Sequence, residues 1–97
     1  MRYAAAVDAN QKDIVKALRQ IGCSVQPLHN VGNGVPDLLV GVNSLNLLIE
    51  VKDGSKSPSD QKLTTDQGNW HDAWRGQVQI INSVDKALAL IHYVRSK

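Results

Sequence analysis

Sulfur is scarce in this chain, and its scarcity narrows the chemistry. Cys23 is the one cysteine in 97 residues, so there is no internal disulfide and no thiolate pair to hold zinc. The thiol reads as a small buried hydrophobe. Long hydrophobic runs are also missing. None approaches the ~20 apolar residues that a membrane-crossing helix needs, and the first residues lack the basic-then-apolar layout of a secretory signal. An intracellular location and no membrane partner are the expectations. Charge of one sign is lacking as well: a net charge of +2 excludes a polybasic clamp, while permitting a nucleic-acid partner. No repeat, low-complexity tract or long linker interrupts residues 1–97, which read as one domain. Gly32–Asn33–Gly34 is a turn or a small cradle of backbone amides, and no Gly-Lys-Ser/Thr follows to make a Walker loop. His29 and His71 have no second metal-ligand histidine at useful spacing, which argues against an HNH-type site; His92 reads as structural or exposed.

What is present is a succession of short periodic segments. Asp8 or Asn10 can cap a first helix carrying Ile14, Ala17, Leu18 and Ile21 at helical spacing, and Gly22 can end it. Cys23 to Leu28 predicts a strand whose Pro27 suggests an edge. Residues 29–34 are loop by composition. Two apolar runs, Asp37–Val42 and Leu45–Lys52, flank Asn43–Ser44, a gap short enough for a tight hairpin. A polar connection over residues 53–59 leads to a helix from Thr64 or Thr65 to about Arg75–Gly76. Gln77 to Asn82 predicts a fourth strand. Ser83 caps a last helix with Val84, Leu88, Ile91 and Arg95 on one face. The order α-β-β-β-α-β-α predicts an α/β domain with a mixed sheet flanked by helices.

The hairpin carries the chemistry. Residues two apart on a strand face the same way, so Glu50 and Lys52 project together, about 7 Å apart, while Leu47, Ile49 and Val51 turn to a core. Folding back across Asn43–Ser44 brings Asp37 beside them. Two carboxylates suit magnesium or manganese, which prefer oxygen ligands and keep several waters. The Val51 carbonyl can add another oxygen, and Lys52 can stabilise charge on a phosphate. An isolated E-x-K triplet is commonly an ordinary salt bridge. The Pro-Asp, the hairpin and the element order are what favour a site here.

Val35–Pro36–Asp37 followed by Glu50–Val51–Lys52 in this order resembles the PD-(D/E)XK nucleases, whose fold is restriction-endonuclease-like. Gly34–Val35–Pro36–Asp37 with Leu63–Thr64, Gln67 and Trp70 is more specifically similar to the virus-type replication-repair nuclease, or VRR-NUC, domains, over about Asp8 to Ile91. That resemblance implies a divalent-metal DNA endonuclease, with Asp37, Glu50, Lys52 and Gln67 in the catalytic site. Small standalone members occur in phages and their hosts and act as homodimers on branched DNA such as four-way junctions. It also implies an acidic residue on the first helix as a further ligand. Asp8 is the candidate, Gln11 stands nearby, and the pair equally reads as a helix cap. Thr64 and Gln67 likewise fit a capping box as well as a site. Trp70 and Trp74 read as core packing rather than a base-stacking surface. Lys56 and Lys62, in or beside a solvated loop, and Arg75 are candidate phosphate contacts on duplex or branched DNA. A non-catalytic nucleic-acid module on this fold is the rival reading, although such copies usually lose an acid or the lysine. A sequence-specific restriction-like enzyme lacks a domain here for reading bases.

Overall fold

The computed structural model describes residues 9–97, so Asp8 lies outside the described residues. Its elements are α1 (Ala9–Gln20), β1 (Ser24–Pro27), β2 (Leu38–Val42), β3 (Leu45–Val51), a 3-10 turn (Pro58–Gln61), α2 (Thr65–Ala73), β4 (Gln79–Ile81) and α3 (Val84–Arg95). The expected α/β order therefore holds. The four strands lie in the order β1-β2-β3-β4, antiparallel except for the parallel β3–β4 pair. Asn43 and Ser44 form the two-residue turn with φ of 51° and 61°. Two left-handed residues in succession match the twist of the flanking strands, and the turn fixes Val42 opposite Leu45 and Leu38 opposite Ile49.

Alternation then sorts the side chains. Leu38, Val40 and Val42 of β2 and Leu47, Ile49 and Val51 of β3 are buried. Ile14 and Leu18 of α1 and Ala87, Ile91 and Val94 of α3 join them in one core cluster. Helix α1 stops where Gly22, at φ of 92°, lets its amide bond Arg19 O (3.1 Å) and the Cys23 amide bond Leu18 O (3.0 Å). Arg95 of α3 donates to the free Ile21 carbonyl at 2.6 Å, tying the two helix ends together. Cys23 is buried, and burial raises its thiol pKa.

Several details differ from the sequence expectations. Asn10 sits inside α1 instead of capping it, and its amide donates to Lys52 O at 2.6 Å. Strand β4 is shorter than Gln77 to Asn82. Gln77 meets β3 with its side chain, accepting from Leu48 N (2.9 Å) and donating to Leu48 O (3.3 Å), so backbone pairing begins at Gln79. The buried line of α3 runs through Ala87, Ile91 and Val94; Arg95 is exposed. The polar connection after β3 contains the 3-10 turn, started by Pro58. Trp70 and Trp74 are not core residues. They stack on each other at 4.6 Å and 20°, and Trp74 is 44% exposed. The reason is the helix itself: α2 buries no residue, because the core occupies the other face of the sheet.

Candidate active site

Hairpin register builds the site. With Leu38 opposite Ile49, the next pair outward is Asp37 and Glu50. Asp37 is fixed at both ends: its carbonyl accepts from Leu28 N (2.8 Å) and its Oδ2 from Val51 N (2.7 Å). Glu50 is 1% exposed. Burial, followed by a hydrogen bond with Asp37 and the Asp37 charge, pushes its carboxyl up to about 9, against a smaller opposing effect of Lys52.

Helix α2 supplies the partners. Gln67 Oε1 accepts from Lys52 Nζ at 2.7 Å, while Gln67 Nε2 donates to Glu50 Oε2 at 3.1 Å. The same Oε1 accepts from Thr64 N (2.9 Å), and Thr64 Oγ1 accepts from Gln67 N (3.2 Å). Gln67 therefore closes a capping box and also bridges Lys52 to Glu50. One turn later, His71 Nε2 stands 3.5 Å from Glu50 Oε1. Gly34 explains how α2 comes so close. Its φ is 80°, and a Cβ there would collide with the Asp66 carbonyl in the first turn of α2. A side chain would be strained by conformation and blocked by backbone.

A cleft of about 230 Å³ gathers Gln11, Asp37, Glu50, Val51, Lys52 and Gln67. Asp53, Lys56 and Asp60 line its other side. Of the residues singled out in the sequence, Asp37, Glu50, Val51, Lys52, Gln67 and Lys56 thus meet in one place. Lys62 and Arg75 do not line the cleft; both are exposed, and Arg75 donates to Asp72 O. The first helix brings Gln11, which is buried on the core-facing side of α1 at i−3 from Ile14. His71, Asp53 and Asp60 were not anticipated as neighbours of the site. The i, i+4 spacing from Gln67 was the available signal for His71.

The donor set fits a hard divalent cation. Among the described residues no group of three His, Cys, Asp or Glu side chains converges. Magnesium does not need one, since one or two carboxylates with waters suffice. Two opposed carboxylates, one of them kept protonated by burial and then by its neighbour, form a site whose crowding a cation relieves.

A solved structure described as a VRR_NUC domain is similar to this chain with a TM-score of 0.63 and 26% identity, over 86% of this chain and 90% of that one. The sequence matches no protein-family model and no curated protein. The mixed four-stranded sheet with its helices has the restriction-endonuclease-like fold, and this likeness supports a VRR-NUC domain assignment, with its nuclease-type fold.

Proposed function

We propose that this chain is a magnesium- or manganese-dependent endodeoxyribonuclease, folded as a single domain over residues 1–97 and acting on branched DNA as a homodimer. The observation that carries this reading is the pairing of Asp37 with Glu50 in a cleft where Gln67 presents Lys52. Asp37, Glu50 and the Val51 carbonyl would hold the ion, with Gln11 of α1 or Asp8, which precedes α1 in the sequence, as a further ligand. When bound, the ion neutralises a phosphate and lowers the pKa of a water.

The rest of the chemistry belongs to the chain. Asp37 is anchored through Oδ2 by the Val51 amide, which fixes its carboxylate beside Glu50 in the cleft. The Gln67 carbonyl aims the Lys52 ammonium, which stabilises negative charge building on the scissile phosphate. Gln67 Nε2 and His71 restrain Glu50. One domain with one such cleft cuts one strand, and resolving a four-way junction takes two cuts. Two-fold pairing is the commonest way to supply two sites.

Labelled duplex, flap, fork and four-way junction DNA, incubated with manganese, magnesium or excess chelator, test the proposal. Cleavage is expected with either metal, strongest on branched substrates, and absent in chelator. Asp37→Asn and Glu50→Gln should each abolish it while leaving the circular dichroism spectrum intact. Full activity in either variant, or in chelator, overturns the reading; metal-independent binding without cleavage would favour a non-catalytic module.

A further inference from the structure

The cleft itself is poor in cations for an enzyme that must hold a polyanion. Lys52 and Lys56 face Asp37, Glu50, Asp53 and Asp60 there. A larger groove, about 640 Å³, runs beside it along α1. Lys12, Val15, Lys16 and Arg19 form one wall, and Pro27 and His29 stand across from them. Gln11 lines both the groove and the cleft, so the two adjoin at this residue.

Lys12, Lys16 and Arg19 fall at i, i+4 and i+7, which puts their side chains on one face of the helix. All three are exposed. At 1.5 Å rise per residue they span roughly 10 Å along the helix. Arg19 Nη2 donates to Val25 O at 3.0 Å, which holds the guanidinium at the groove while leaving its other N–H groups for a ligand. Asp13, the acid of α1, does not line the groove. Val15 and Pro27 add apolar surface against which a deoxyribose can rest.

We propose that this groove binds the sugar–phosphate backbone of one DNA strand and leads it into the cleft, with Lys12, Lys16 and Arg19 as the phosphate contacts. The inference rests on the nuclease reading only for the direction of the track. Lys12, Lys16 and Arg19 line the groove and Lys56 lines the adjoining cleft, so a strand passing from one to the other meets cations in both. The contacts are to backbone and carry no sequence preference.

The test compares wild type with Lys12→Gln/Lys16→Gln/Arg19→Gln and with the control Lys86→Gln/Lys97→Gln. Glutamine keeps helix propensity close to that of lysine and arginine, so α1 is expected to stay folded. Binding of labelled duplex and four-way junction is followed by anisotropy in chelator across a salt series, and cleavage is measured in parallel with manganese. Losing three phosphate contacts should weaken the slope of log K against log salt by about 2.7, at ~0.9 per contact. Affinity at low salt should fall tenfold or more. In cleavage, KM should rise while kcat at saturating DNA is kept. The control should retain the wild-type slope.

A triple variant with wild-type slope and affinity overturns the groove proposal and leaves the nuclease reading standing, provided wild type cleaves. Wild type that binds through these three residues but never cleaves supports the groove and removes the nuclease reading. A groove that takes an acidic peptide but no DNA overturns the proposal.

Discussion

Gln67 joins two functions, and two substitutions separate them. Thr64→Ala removes the hydroxyl that accepts from Gln67 N while leaving the Gln67 amide between Lys52 and Glu50. Loss of a cap of this kind costs about 0.5–2 kcal/mol, and each 1 kcal/mol lowers Tm by about 4–8 °C in a domain of this size. Cleavage at 25 °C should stay within about twofold of wild type. Gln67→Ala removes the other half of the capping box and also leaves Lys52 Nζ and the buried Glu50 without their shared partner. An unsatisfied buried group adds about 1–3 kcal/mol, so this variant should be the less stable of the two. Loss of a residue that orients ligating groups typically lowers metal affinity or activity by about 10–100-fold. Thermal unfolding, manganese titration and initial cleavage rates, measured on both variants, give the comparison. If Gln67→Ala bound manganese and cut DNA like wild type while losing only stability, the amide would be a helix cap and nothing more.

Lys52→Ala should lose cleavage yet still bind manganese by calorimetry, since the proposed role of the ammonium is toward the phosphate and not the ion; loss of metal binding would contradict this division. The pH dependence of the metal-free protein follows from Glu50. Its folded pKa is raised from 4.5 to about 9, so the stability it contributes is complete below the unfolded pKa and declines as pH rises through about 9, by at most about 1.4 kcal/mol per unit. Urea midpoints should therefore fall from pH 5 to pH 9, and Glu50→Gln should flatten the trend; an unchanged slope in that variant would assign it to other groups. Light scattering at micromolar concentration should report about twice the chain mass of 10.6 kDa, and a monomer both free and bound to junction DNA that still makes paired cuts would contradict the dimer.

The hairpin was legible because two simple rules act on it together. Period-two alternation assigns Leu47, Ile49 and Val51 to the core, and a two-residue turn fixes the register. Asp37 opposite Glu50 is then arithmetic. Gln11 was legible in part: counting back from Ile14 and Leu18 puts it on the core face, but the same count does not say that the helix start lies over the ends of β3 and β4. That is set by Asn10 bonding Lys52 O and Asn82 O, a contact across 72 residues. Asp60 was hidden because a 3-10 turn in a Ser-rich loop has no periodicity to read. The tryptophan pair misled for a related reason. Spacing of four puts Trp70 and Trp74 on one face of α2, yet spacing cannot say whether that face meets a core, and here it meets the open side of the sheet.

Helix α2 is held mainly through the site. It buries no residue of its own, and among the described contacts two of its attachments, from Gln67 and His71, end on Glu50. In the metal-free protein Glu50 is protonated at neutral pH, so these are bonds to an uncharged group. A cation between Asp37 and Glu50 favours the carboxylate, and hydrogen bonds to an ionised acceptor are roughly twice as strong. Local opening of α2 should therefore become rarer when metal binds, whereas α3, whose Ala87, Ile91 and Val94 lie in the core, should open only with the whole domain. Hydrogen exchange with and without manganese reads this directly. Amides of Thr65–Ala73 should gain protection of about tenfold, the equivalent of ~1.4 kcal/mol, in excess of any change in Val84–Arg95. Equal gains in both helices would mean that metal stabilises the domain as a unit. No gain in α2 would mean that Glu50 does not anchor it.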